Sequence, residues 1–330
     1  MRVLLQHEYR PLLEARLGTD KLHRRMELES RSHAQVVGRG LAALHPRRWM
    51  MSESLVHFML KATFLRGRAR RNALNLQVSA HEFVIPELPP AFDGFTVLHM
   101  SDLHLDMSPR FPDILAECIE ELQYDLCVLT GDYRYQTHGS CVPATEGIMR
   151  LKASINSPVY GVLGNHDSIE MVSHMEEMGI RVLLNEGIDL IKHGQRIYVC
   201  GIDDPHFFRT DDVHLARDIV PDGAVSILLS HSPEVYRQAA EAGFAVMLCG
   251  HTHGGQIRLP GGVPLLFNAR CSRRVCSGAW THERLQGYTS VGAGSSVVDA
   301  RLNCRPEVTL HRLRSAVRAT VRENRLDTRP

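Results

Sequence analysis

Thr96-Val97-Leu98-His99-Met100-Ser101-Asp102-Leu103-His104 is an apolar run that ends in two side chains able to bind a metal. The same arrangement returns four more times. Leu126 to Leu129 precedes Gly131-Asp132, and Val159 to Leu163 precedes Gly164-Asn165-His166-Asp167. Val225 to Leu229 precedes His231, and Phe244 to Leu248 precedes Gly250-His251-Thr252-His253-Gly254. Short apolar runs of this kind read as buried strands. Strands that deliver ligands at their carboxyl ends meet where an open sheet places its active site, so the five blocks are expected to form one cluster. Helical patterns lie between them. Pro112 to Gln123 puts Leu115, Cys118, Ile119 and Leu122 on one face, and Pro233 to Ala242 starts at proline and stops at Gly243. Strand and helix alternating in this way predict an α/β layered fold, at first reading with parallel strands.

The spacing within the blocks suits metal chemistry. Asp102 and His104 are two apart, which on a continuing strand places both side chains on one face. Asp132 brings a carboxylate whose two oxygens can touch two cations at once. His251 and His253 repeat the two-residue spacing on a turn flanked by Gly250, Gly254 and Gly255, where the backbone can bend sharply. Asn165 and His231 add a neutral oxygen and a nitrogen. Two cations roughly 3.5 to 4 Å apart can share one water, lower its pKa and hold a phosphoryl oxygen for in-line attack. Such a site hydrolyses phosphate esters. His166, beside Asn165, is placed to stabilise developing charge or protonate the leaving oxygen, with Asp167 as a partner for its ring. Arg134 in the segment GDYR is a candidate phosphate contact.

In this order the blocks SDLH, GD, GNHD, SH and GHTH resemble the calcineurin-like metallophosphoesterase superfamily, over roughly residues 95–313. The resemblance implies that Asp102, His104, Asp132 and His253 bind one divalent metal and that Asp132, Asn165, His231 and His251 bind the other. Mn²⁺ is expected first, with Fe or Zn as alternatives. It implies that His166 acts on the substrate. It also implies a four-layer α/β fold, a β-sandwich of mixed sheets flanked by helices, which amends the all-parallel reading. GHTHGGQIRLP (250–260), GIDDP (201–205), LSHSPEVY (229–236) and the late TSVGAGS with Arg301 are similar to a bacterial branch described as transmembrane proteins with a metallophosphoesterase domain. That branch includes UDP-2,3-diacylglucosamine pyrophosphohydrolases of lipid A synthesis. A lipid-linked pyrophosphate is therefore the expected substrate, with general or cyclic nucleotide phosphodiester hydrolysis as the alternative and a non-catalytic scaffold as a second. The chain departs from the branch in lacking a spanning helix and in carrying Asp106 after SDLHL, where many relatives have glycine.

Charge is unevenly distributed. Residues 1–88 hold 15 Lys/Arg against 8 Asp/Glu, residues 89–310 carry a net charge of −10, and residues 311–330 carry +4. The acidic body and the low aromatic content, 6%, argue against a nucleic acid partner. From Trp49, a spacing of three to four puts Met51, Leu55, Met59, Ala62 and Leu65 on one helical face, followed by Arg66, Arg68, Arg70 and Arg71. Residues 47–71 therefore suit either an anionic membrane surface or packing on the body. Glu8, Arg10 and Glu14 stand where a signal peptide needs an apolar core, so a cytoplasmic location is expected, peripheral on the inner face of the cytoplasmic membrane if the helix docks there. The eight cysteines are scattered and read as reduced thiols. Cys271, Cys276, His282 and Cys304 match no common zinc spacing. The expected organisation is a helical basic extension over 1–77, a catalytic domain over 78–313 and an Arg-rich tail over 314–330, solvated from His311 onward.

Overall fold

The computed structural model describes residues 2–37, 53–264 and 268–316. Trp49, Met51 and the Arg-rich stretch 317–330 lie outside them. Two helices open the chain, α1 (Arg2–Leu17) and α2 (Thr19–Val37), separated by Gly18 at φ +81°, a left-handed conformation that glycine adopts without a Cβ clash. Two shorter helices follow, α3 (Glu53–Ala62) and α4 (Arg66–Ala73).

Among the described residues, twelve strands make two six-stranded sheets. The first contains β1 (Gln77–Ile85), β2 (Thr96–Met100), β3 (Leu126–Thr130), β4 (Val159–Val162), β5 (Ile180–Val182) and β12 (Glu307–Ser315), in the order β1-β12-β2-β3-β4-β5. The second contains β6 (Glu186–Lys192), β7 (Gln195–Gly201), β8 (Ser226–Leu229), β9 (Val246–Cys249), β10 (Gly278–His282) and β11 (Leu285–Thr289), in the order β10-β11-β9-β8-β7-β6. The strands that end in the candidate ligands are parallel to their motif neighbours, as their unbroken apolar runs suggest. Antiparallel pairing enters where β12 meets β2, at β6 against β7 and at β10 against β11, so both sheets are mixed.

Residue alternation assigns the layers. In β3, Leu126 and Val128 point into the sandwich with Val97, Val162, Ile227, Leu229, Val246 and Leu248 of both sheets. Cys127 and Leu129 point outward with Leu98 and Met100, under α5 (Phe111–Ile119), α6 (Val142–Lys152) and α7 (Met171–Glu177). On the far side, Cys200, Leu228 and Met247 pack under α8 (Val213–Arg217) and α9 (Tyr236–Glu241). Helices, sheet, sheet and helices make four layers.

Three expectations change. His311 opens no tail: β12 continues to Ser315 between β1 and β2, with His311 and Leu313 buried and Arg312 exposed. The period of two that carries this strand was hidden by its arginines. In α3 the core face is Val56 and Leu60, which pack with Ala69, Val298 and Ala300, while Met59 and Ala62 are exposed. Finally, α1 and α2 join the core under the first sheet through Leu13, Leu17 and Leu22, each such burial contributing about 1.5–3 kcal/mol. No helix among the described residues is long and apolar enough to cross a membrane.

Candidate metal centre

All five ligand blocks begin within four residues of a strand's carboxyl end, three on the first sheet and two on the second. β2 does not continue through Asp102 and His104, however. It ends at Met100, and the two residues share a face through a turn instead, with φ of +53° and +43°. Asp132, His251 and His253 are also left-handed, at +56°, +70° and +49°. Such conformations cost about 1–3 kcal/mol each outside glycine and persist only when their surroundings enforce them. Here backbone and carboxylate bonds do so. Asp102 N–H donates to Gly131 O (3.0 Å), His104 N–H to Asp132 O (3.0 Å) and His251 N–H to the Asp102 carboxylate (3.0 Å). The loops approach so closely that a Cβ at Gly164 would stand 2.2 Å from Asp132 Oδ1, and one at Gly250 would stand 1.9 Å from Ser101 Oγ.

Backbone carbonyls set four of the imidazoles. A carbonyl can only accept, so the ring nitrogen beside it carries the proton and the other presents its lone pair. His104 Nδ1 donates to Arg134 O (2.9 Å), His231 Nδ1 to Thr130 O (2.8 Å), His251 Nε2 to Asn268 O and His166 Nδ1 to Tyr135 O. The four free nitrogens face one another or Asp132. His104 Nε2 is 3.2 Å from His253 Nε2, and His253 Nε2 is 3.3 Å from Asp102 Oδ1. On the other side of Asp132, His231 Nε2 lies 3.4 Å from its Oδ2, 3.1 Å from His251 Nδ1 and 3.0 Å from Asn165 Oδ1. His166 Nε2 is 3.8 Å from the same Asp132 oxygen. The seven candidate ligands thus come together, Asp102 with His104 and His253, Asp132 with His231, His251 and Asn165, and Asp132 also with His104 and His166.

The electrostatics favour a cation. Burial holds the His104 ring neutral, with its pKa lowered to about 3, and pushes His251 and His253 well below the usual histidine range. Burial also works against ionising Asp132, but His231, His166 and His104 more than offset it and hold the carboxyl well below its ordinary range. Burial opposes charge on His231 too, yet Asp132, Asp102 and Asp204 lift it to about 10. A proton and a metal ion therefore compete for that nitrogen. Converging lone pairs and carboxylates, with little water to screen them, fit divalent ions of intermediate softness.

Two neighbouring side chains take other places than their positions in the sequence suggest. Asp167 does not orient the His166 ring. Its carboxylate accepts the N–H groups of Asp132 (2.7 Å), Tyr133 (2.9 Å) and Gly164 (2.8 Å), which ties two ligand loops together. Arg134 turns its buried guanidinium to Gln136 O and Cys141 Sγ, so the part of it that meets the cluster is its carbonyl, on His104. Asp106 accepts Tyr135 N–H (2.6 Å) and so helps hold the loop whose carbonyl sets His166. Sequence reasoning assigned no role to Arg301, which is fully buried with Nη2 3.3 Å from His253 Nδ1 and donates to Val291 O and Gly292 O. Nothing in its spacing announces this, because it reaches the site through a loop. Cys271 and Cys276 lie 3.8 Å apart, sulfur to sulfur, and the metal-capable groups among the described residues contain no cysteine.

A family model described as calcineurin-like phosphoesterase matches residues 95–255. The chain is 27% identical over 257 residues to the uncharacterized metallophosphoesterase YkoQ of Bacillus subtilis (strain 168), covering 74% of this chain and 93% of that protein. It is 29% identical over 230 residues to the phosphodiesterase YaeI of Escherichia coli (strain K12), covering 66% and 81%. A Bos taurus transmembrane protein with metallophosphoesterase domain is 24% identical over 254 residues, covering 70% of this chain and 56% of its own length.

Proposed function

Because the chain carries a calcineurin-like metallophosphoesterase domain and is a metal-dependent hydrolase of phosphoric esters, we propose that it is a phosphodiesterase with two divalent ions that share Asp132. Asp102, His104, Asp132 and His253 would hold one ion, and Asp132, Asn165, His231 and His251 the other. The observation that carries this reading is the buried Asp132 carboxylate between His104 on one side and His231 and His251 on the other, three imidazoles whose outer nitrogens donate to backbone carbonyls. Mn²⁺ is the ion proposed first, with Fe or Zn as alternatives. Bound there, the ions supply Lewis acidity toward a phosphoryl oxygen and an activated water. His166 does the proton work. Tyr135 O fixes its Nδ1–H, so Nε2 faces the cluster, and its side chain is 19% exposed where that of Asp132 is 3%. From there the ring, once it has taken a second proton at Nε2, would give that proton to the leaving oxygen and return to the Nδ1–H form that Tyr135 O holds.

The test is hydrolysis of bis(p-nitrophenyl) phosphate by protein stripped with a chelator and reloaded with Mn²⁺. Asp132→Ala is expected to abolish turnover and bound metal together. Full activity in that variant would sink the assignment. His166→Ala is expected to lower kcat by roughly 10²- to 10⁴-fold with metal content unchanged, checked by elemental analysis.

A finer reading concerns the substrate: a lipid-linked pyrophosphate of the UDP-2,3-diacylglucosamine type, met at the anionic inner face of the cytoplasmic membrane. One feature favours it: Phe58 and Phe64 are 67% and 93% exposed, close in sequence to the exposed Arg66, Arg68 and Arg71. Assaying this lipid beside nucleotides and soluble diesters, with product identification, decides it. Absence of a lipid phosphate product returns the reading to a general or cyclic nucleotide phosphodiesterase.

A further inference from the structure

α2 lies outside the stretch that the family model matches, yet its polar side chains end on the catalytic loops. Arg25 is fully buried and pairs with Asp203 of the GIDDP segment. Its Nη2 donates to the Asp167 carbonyl at 2.9 Å, its Nε meets Glu29 Oε1 at 3.2 Å, and its guanidinium lies 4.1 Å from the centre of the Phe208 ring. One turn further on, Glu29 accepts Ser168 Oγ–H (2.8 Å) and Ile169 N–H (2.9 Å). Asp203 is completed by Thr210 Oγ1–H at 2.6 Å.

Each of the three residues that follow His166 is therefore held by α2: Asp167 by its carbonyl, Ser168 by its hydroxyl and Ile169 by its amide. Packing alone does not ask for this. Leu13, Leu17 and Leu22 already seat the helix pair on the core, and a buried ion pair is costly next to apolar residues of the same size. What the polar contacts add is geometry. Asp167 also binds the amides of Asp132, Tyr133 and Gly164, so the segment that α2 fixes is the one that sets His166 and Asn165 against Asp132.

We infer that Arg25 and Glu29 are positioning residues: α2 clamps residues 167–169 and through them aims His166. The inference rests on His166 acting on the substrate. A displacement of about 1 Å in a catalytic group costs on the order of a hundredfold in rate.

The test uses full-length, Mn²⁺-loaded protein with Arg25→Lys, Glu29→Ala and Glu29→Gln. Lysine keeps the charge beside Asp203 but lacks the fork that reaches Asp167 O, and glutamine keeps an acceptor for Ile169 N–H and a donor for Ser168 Oγ. For bis(p-nitrophenyl) phosphate, Arg25→Lys and Glu29→Ala should lower kcat roughly ten- to a hundredfold. KM and metal content should change little, and Glu29→Gln should restore most of the rate. Hydrogen exchange of the peptide around 164–169 should rise in the first two variants and not in the third. That measurement needs no turnover, so it separates loss of the clamp from failure of the phosphodiesterase reading. Unchanged exchange in Arg25→Lys and Glu29→Ala overturns the inference, as does faster exchange in either variant with kcat equal to that of an active wild type. So does a fall in kcat that only tracks lost metal.

Discussion

The two helix pairs that precede the first strand are both rich in leucine and arginine, and the fold treats them in opposite ways. α1 and α2 turn Leu13, Leu17, Leu22 and Arg25 inward, and Arg16 pairs with Glu176 and Glu186 of the body. α3 and α4 set only Leu60, Ala69 and Ala73 fully inward and leave Phe58, Phe64, Arg66, Arg68 and Arg71 on the surface. The difference lies in where the guanidinium groups find carboxylates. An arginine goes into a protein interior only when its charge and its donors are matched there, and Asp203, Glu29 and the Asp167 carbonyl match those of Arg25. An N-terminal segment can thus be tied into the loops of the candidate site while the one beside it faces outward.

The comparison breaks most readily at Arg25. Arg25→Ala strands Asp203 and Glu29 in the interior and is expected to cost about 3–5 kcal/mol, read from the shift in the urea midpoint. A variant as stable as the wild type would make α2 an ordinary packed helix. Acid acts on the same body, with an effect that grows with every unit of pH. Burial lowers the His99 pKa to about 3 and His311 well below its ordinary value, with His99 Nε2 2.8 Å from Thr130 Oγ1. The unfolded chain takes up protons on both rings below about pH 6.5 while the folded one does not. Stability therefore falls as pH drops from 6.5 toward 3, by up to about 1.4 kcal/mol per unit for each ring. The body and the α1–α2 pair docked on it are lost together, while the exposed arginines of α4 keep their charge. His311→Phe, which places a ring among Phe83 and Tyr288, should flatten the profile measured by thermal melts between pH 7 and 4. The smallest effect on stability belongs to the outward pair. Phe58→Ser with Phe64→Ser should change stability by no more than about 0.5 kcal/mol. Retention on anionic liposomes should fall in the same variant, and undiminished retention would leave the exposed face without a membrane role.

Much of the fold was legible because a strand that is buried on both faces must be apolar at every position. Val97-Leu98, Leu126 to Leu129, Ile227 to Leu229 and Met247-Leu248 could hardly be anything else. β12 escaped because it is polar at Arg312 and Arg314, and the alternation shows only in the burial of His311, Leu313 and Ser315 around them. The face of α3 was assigned to Met59 rather than Leu60 for a related reason: periodicity marks apolar faces, but which one is covered depends on the loop at 297–302 that packs there.

The site divides along the same line. Residue type and order alone singled out Asp102, His104, Asp132, Asn165, His231, His251 and His253, since these side chains after buried strands have few uses other than binding a cation. Their geometry was decided in three dimensions. The left-handed turns at Asp102 and His104, the carbonyls that set His104, His166, His231 and His251, the use of Asp167 on backbone amides and the inward turn of Arg134 all depend on loops brought together from distant parts of the chain. Arg25 and Arg301 show the limit most plainly. As letters they are two of the 38 basic residues, and only the folded chain supplies the buried partners that give each a place: Asp203 and Asp167 O for one, His253 and the 291–294 carbonyls for the other. Apolar patterning is a local property that a sequence states directly, whereas the pairing of a buried charge exists only once the fold has closed around it.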